Sequence, residues 1–315
     1  MKATFIKRVS VIILTIAMGI GSASAQPISK QNEAILKAKE DSLKAYAEYL
    51  NTDSLTADRM ISDSSFTKTL VRALVIKNSF YYPFDSIKGI NKLYAPDSSF
   101  RIITWNINFS DYYNRQKGAI QLKTNDGSLK LFPLRDVSEF TENTQDSIRT
   151  ARNWIGAMYY NMVLKEFNGK KYYTLFGFDN NNAMSSIKWI EVLWFNEKSE
   201  PQFGGPFFSY EKDSVRKATQ YRYQTEFKKG ASILVNYIAD MDLILVDHLV
   251  SENNDPEHKW TYVPDGDQEG FKWENGKWIH INKVFNQKLE GGQAPIEKPV
   301  FNREIENGIK KSKGK

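Results

Sequence analysis

The 315-residue chain has no cysteine. That absence excludes disulfides, thiol nucleophiles, thiolate metal sites and an acylated cysteine, so the chain is not expected to be a lipoprotein. Stability must come from core burial and backbone hydrogen bonding. Histidine is scarce, with only His248, His258 and His280, and none lies in an HExxH-like spacing that would put two imidazoles on one zinc ion. No P-loop, GxSxG or dinucleotide fingerprint is present, and scattered carboxylates cannot be paired into a hydrolytic site without distances. Beyond residue 25, no apolar run approaches the roughly 18 residues of a spanning helix, so no integral membrane protein is expected.

The one long apolar stretch, Val9 to Ile20, follows Lys2, Lys7 and Arg8 and ends at Ala23-Ser24-Ala25. Basic, apolar and small-residue regions in that order make residues 1–25 a secretory signal peptide, cleaved before Gln26. The expected address is outside the cytoplasm: periplasmic, outer-membrane associated or extracellular. The formal charge of +6 loses three positive charges with the leader, and Lys310, Lys311, Lys313 and Lys315 hold part of the rest. A folded basic face for nucleic acid is therefore not expected. Residues 287–315, with Gly291-Gly292, Pro295 and Pro299, read as a flexible basic tail.

Aromatic residues are abundant, with 19 Phe, 16 Tyr and 7 Trp. Such rings favour strands and large flat contacts. Residues 26–84 read as an N-terminal helical segment. Ser29 to Leu50 carries an apolar stripe of Ile35, Leu36, Leu43, Tyr46 and Leu50, and Ser64 to Asn78 a second one of Phe66, Leu70, Ala73 and Leu74. Asp63 or Ser64 would cap the second helix. Residues 85–286 read as the β-rich main domain. Arg101 to Phe109 alternates, with Ile103, Trp105, Ile107 and Phe109 on one face. Asp126-Gly127, Asn168-Gly169 and Asn275-Gly276 suit type I′ hairpins, in which both turn residues have positive φ. The arms around Asn168-Gly169 are apolar on both faces, as in strands covered from two sides. The expected fold is mainly β, an antiparallel meander forming a sandwich or a curled, barrel-like sheet behind N-terminal helices. A β-propeller is the alternative, although no repeat of 40 to 50 residues supports it.

Three sets of residues are candidates for chemistry. Asp247-His248 looks catalytic, but neighbours on a strand point to opposite faces, so each would need a partner from another strand. Asp179, Asn180 and Asn182 offer oxygens that calcium could use, although turns favour the same residue types. Trp273, Trp278 and His280 fall on the last hairpin, whose register should set Trp273 against Trp278 and Phe271 against His280. They form either an exposed ligand-binding strip or a clasp closing the hairpin on the sheet. Trp105, Trp189, Trp194, Tyr172 and Tyr173 could also stack on ligands, though both Trp189 and Trp194 have apolar strand neighbours.

The strings FTKTLVRAL at 66–74, SFYYPFDS at 79–86, LYAPDSSFRIITW at 93–105, KYYTLFGFDNNNA at 171–183 and GFKWENGKW at 270–278 together resemble a family of uncharacterised secreted Bacteroidetes proteins. The resemblance implies export and no activity, cofactor or site residue. The expected function is a noncatalytic binding or structural protein of the cell envelope, with an envelope protein or glycan as partner. The alternative is a secreted hydrolase of an envelope or extracellular polymer. Intact-mass analysis of the protein from its native host should find Gln26 as the first residue; retention of Met1 would contradict the leader.

Overall fold

The computed structural model describes residues 28–110, 112–215 and 217–285. The expected signal peptide and the tail at 287–315 lie outside the described residues. Two helices come first, α1 (Lys30–Thr52) and α2 (Thr56–Leu74). Ser29 caps α1 by accepting from the Asn32 amide at 3.2 Å. The buried Leu36, Leu43, Ala47 and Leu50 make one face of that helix. Helix α2 begins well before the expected cap, so Asp63 and Ser64 lie inside it. Asp63 is buried there, accepts from Trp105 Nε1 at 2.9 Å and pairs with Lys117. A carboxylate that looked like a cap is instead a tie between helix and sheet.

The first sheet is a meander of β1 (Asn91–Tyr94), β2 (Phe100–Ser110), β3 (Tyr113–Leu122) and β4 (Lys130–Arg135). The second contains β5 (Arg149–Thr150), β6 (Met158–Phe167), β7 (Lys170–Asp179), β8 (Ser185–Phe195) and β9 (Pro201–Phe203) in the order β5-β9-β8-β7-β6. Strand β10 (Phe208–Ser209) leaves for the third sheet, and β11 (Arg222–Lys228) returns to pair with β8. The third sheet is completed by β12 (Val235–Ile238), β13 (Leu243–Ser251), β14 (Tyr262–Glu274) and β15 (Lys277–Ile281), in the order β10-β15-β14-β13-β12. Every pairing among these strands is antiparallel except the short β10–β15 contact.

Period-two alternation decides how the sheets stack. Ile103, Trp105 and Ile107 face the helices and join Phe66 and Leu70 in one core. On the opposite face of β2 and β3, Phe100, Ile102 and Ile120 meet Leu175, Trp189 and Leu193 of the second sheet. That sheet turns Phe176, Ile190 and Val192 towards Ile244, Val246, Phe271 and Trp278 of the third. The packing partners thus form a linear series of helices and three sheets. This is an all-β sandwich of meanders, with no closed barrel and no propeller ring among the described residues.

Two of the expected tight hairpins have the required geometry. Asn168 and Gly169 have φ of 49° and 70°, and Asn275 and Gly276 have 49° and 79°. The Asp126-Gly127 connection differs. Its strands stop at Leu122 and Lys130, and only Gly127 has positive φ. The Gly127 carbonyl accepts from the Asn78 amide at 2.9 Å, so docking against the end of the helical layer replaces the two-residue turn.

In the last hairpin Trp273 pairs with Trp278 and Phe271 with His280. The two indoles meet edge to face with centroids 5.2 Å apart. Trp278 is fully buried and donates to Thr174 Oγ1 of β7 at 2.9 Å, while Trp273 is half-buried. This arrangement clasps the third sheet to the second. Trp278→Ala should lose about 3 to 5 kcal/mol in urea denaturation through the cavity it leaves; a loss under about 1 kcal/mol would contradict the clasp.

A candidate polar groove across the strand ends

Strand ends and loops of all three sheets gather at the end of the stack where β7 finishes, and three depressions adjoin there. The first, about 540 Å³, is bounded by Tyr112, Asn114, Asn180 and Asn182. A second of about 280 Å³ shares Tyr112, Asn114 and Asn182 with it and adds Asp136, Asp179 and Trp189. A third, about 530 Å³, shares Thr144 and Gln224 with the second and extends to Tyr223, His248 and Glu269. Low hydrogen-bonded ridges divide them. Asn114 Nδ2 donates to the Asn181 carbonyl at 2.6 Å, and Thr144 Oγ1 donates to Gln224 Oε1 at 2.9 Å.

Asp179 ends β7 and faces the first sheet. Its Oδ1 accepts from Gln116 Nε2 at 2.7 Å and from the Asn181 amide at 2.8 Å, an Asx turn that closes the loop. Burial pushes this carboxyl up to about 6; the two hydrogen bonds moderate the shift and the charge of Asp136 adds to it. Asp136 itself is held by backbone amides of Gln116, Ser138 and Gly156 at 2.9 to 3.1 Å. Glycine at 156 lets Asp136 sit this close to the backbone, because a Cβ there would lie 2.4 Å from Asp136 Oδ2 and displace the carboxylate.

Of the oxygens proposed from sequence for calcium, those of Asn180, Asn182 Oδ1 and Asp179 Oδ1 are engaged by protein groups. Asn180 offers its carbonyl and its Oδ1 to Lys229 Nζ at 2.6 and 2.7 Å, and Asn182 Oδ1 accepts from the Met184 and Ser185 amides. A cation already sits on that loop in the form of the lysine. Among the described residues, no group of three or more His, Asp or Glu is placed to hold a metal.

Asp247 and His248 do not meet. Asp247 accepts from the Leu234 amide at 2.7 Å and from Gln268 Nε2 at 3.1 Å. His248 Nδ1 lies 2.8 Å from Asp265 Oδ2, and its Nε2 lies 3.8 Å from Glu269 Oε1. The other oxygen of Glu269 is 3.1 Å from His280 Nε2, whose Nδ1 sits between both oxygens of Asp213 at 2.8 and 3.0 Å. Burial opposes charge on His280, but its hydrogen bonds to Glu269 and Asp213 outweigh it and raise its pKa. Glu269 is the residue that sequence reasoning missed. It faces Val246 across the β13–β14 ladder and comes within 3.8 Å of His248 at the irregularity between Asp247 and Leu249, a relation visible only in the folded register.

Trp273, Trp278 and His280 belong to the clasp rather than an exposed strip, since Trp278 and His280 are buried. At the opposite end of β7 and β8, Tyr172, Tyr173, Trp194 and Phe195 line a depression of about 750 Å³ beside Lys170 and Lys198. Its rings are spoken for: Tyr172 packs on Phe207 and Trp273, and Trp194 Nε1 donates to the Gly204 carbonyl. In comparisons with protein families, curated proteins and solved structures, the chain matches none.

The raised Asp179 pKa fixes the sign of a pH effect. The folded state holds this proton more tightly than the unfolded chain, so stability falls as pH rises from 3.8 to about 6. The loss amounts to at most about 3 kcal/mol. Asp179→Asn should cancel it, leaving the variant more stable than the parent at pH 7 and the two closer at pH 4, by urea titration at both pH values. A difference independent of pH would contradict the buried, protonatable carboxyl.

Proposed function

We propose that the protein is an exported binding module of the cell envelope whose groove takes an extended neutral polyhydroxyl polymer, a glycan strand. The observation that carries this reading is the row of three depressions with shared walls, which offers successive seats to a repeating ligand. The chemistry of the walls selects the ligand class. Several charged groups are engaged within the protein: Lys229 donates to the Asn180 oxygens, Arg115 pairs with Glu139 at 3.6 Å, and Asp136 accepts from backbone amides. The walls also present amide nitrogens of Asn182 and Gln224 and the Thr225 hydroxyl, with tyrosine rings at 112, 223 and 262. Such groups suit sugars, whose hydroxyls need paired donors and acceptors and whose ring faces pack on aromatic rings. The address rests on the leader and on the family resemblance.

The hydrolase reading has one specific support. His248 is oriented by Asp265, and its Nε2 faces Glu269 across 3.8 Å on the wall of the third depression. An imidazole and a carboxylate so placed could share a water molecule. Release of reducing ends from a bound polymer, lost in His248→Gln, would favour hydrolysis over binding.

Isothermal titration with linear neutral oligosaccharides of increasing length tests the binding reading. Affinity should rise with length until several units are seated, and Gln224→Ala on the second ridge should weaken long oligomers more than short ones. Affinity independent of length, or no binding across the panel, would overturn it.

A further inference from the structure

The middle depression contains a set of groups that the glycan reading alone does not use. Asp179 of β7 stands directly opposite Ile187 of β8, and Trp189 follows two residues later on the same face. All three border the cavity. Two residues of strand cover about 7 Å, so the three side chains fall within the reach of one small substituent. Each has a different unmet requirement. The Trp189 indole N–H is fully covered by protein atoms and has no acceptor among the described residues, so a ligand acceptor reaches it as the side chains over it move aside. Asp179 uses Oδ1 for both of its hydrogen bonds, and Oδ2 receives none. Ile187 presents an apolar wall.

An unpartnered buried donor costs free energy that a ligand acceptor would recover. A carboxylate ligand could serve the indole but would repel Asp179. A cation could serve Asp179 but would leave the indole unpaired. A diol could serve both and leave Ile187 against polar atoms. A secondary amide with a methyl group meets all three needs at once, because its carbonyl accepts, its N–H donates and its methyl is apolar.

Resting on the glycan reading above, we infer that the middle depression is a subsite for the acetamido group of an N-acetylhexosamine unit. In this subsite the acetamido carbonyl accepts from Trp189 Nε1, its N–H donates to Asp179 Oδ2, and its methyl packs on Ile187. A volume of about 280 Å³ holds one such sugar and little more. The depressions to either side receive the neighbouring units of the strand.

The test compares three trisaccharides with the same β-1,4 linkage on the full mature chain: N-acetylglucosamine, glucose and glucosamine. The acetylated trimer should bind at least tenfold more tightly than the other two. Trp189→Phe keeps a ring in the core and removes the N–H together with two ring carbons, so the variant should fold with a modestly lower melting temperature. Its affinity for the acetylated trimer should fall several-fold, with the glucose trimer unchanged. Asp179→Ala should give the same selective loss and serves as the readout if Trp189→Phe does not fold. Equal binding of all three trimers would overturn the acetamido subsite while leaving the glycan groove standing. Binding of longer neutral glycans with no preference in either variant would do the same, and no binding of any sugar would remove both readings.

Discussion

Strands β7 and β8 have no polar face, and neither can be left against water. Leu175 and Trp189 lie on one side and Phe176, Ile190 and Val192 on the other, so a sheet must cover each side. The stack of three sheets follows from that constraint. Among the polar residues that interrupt the apolar pattern, Glu191 carries the most consequence. Alternation sends Glu191 of β8 into the interior, where it is paired with the equally buried Arg222 of β11 at 3.2 Å. Tyr159 also donates to Glu191, and Trp154 Nε1 donates to Tyr159 Oη at 2.7 Å. Removing one partner of such a pair strands the other charge, at a cost of about 3 to 5 kcal/mol. The ion pair therefore fixes where β11 joins the sheet rather than adding much net stability.

That joining point matters for the groove. Arg222 also donates to the carbonyls of Thr144 and Phe203, which holds the 142–145 loop along β11. Thr144 then forms the ridge with Gln224. The surface is thus positioned by a buried charge pair a few residues away. On the other side, Gln116 ties Asp179 to the first sheet, with its Nε2 2.7 Å from both Asp179 Oδ1 and Asn114 Oδ1. Polar residues fill the seam between the first two sheets at this end, where the apolar core gives out. A groove built on strand ends inherits the rigidity of the strands.

Much of the fold was legible in the chain because its signals are local. The alternation around Trp105, the two-sided apolar arms at Asn168-Gly169 and the positive-φ pair at Asn275-Gly276 each prescribe geometry within a few residues. The start of α2 was not legible, because Leu55 caps it without a side-chain hydrogen bond and Asp63 mimics a cap while serving Trp105. The Asp126-Gly127 loop misled for a similar reason, since its conformation answers to Asn78, far away in the chain. The groove was legible only in fragments. Asp179, Asn182, Asp247 and His248 stood out by residue type. Gln116, Trp189, Gln224 and Glu269 gained meaning only when sheet register and stacking brought them together.

The central claim is that ligand lies across the ends of all three sheets at the Asp179 end of the stack. Backbone amide shift mapping of the labelled protein with a long neutral oligosaccharide measures this directly. Perturbed amides should run in one band from Asn114 and Asn182 through Thr144 and Gln224 to His248 and Glu269. Shifts confined to Lys170–Tyr173 and Trp194–Glu200, at the opposite end of β7 and β8, would contradict the account.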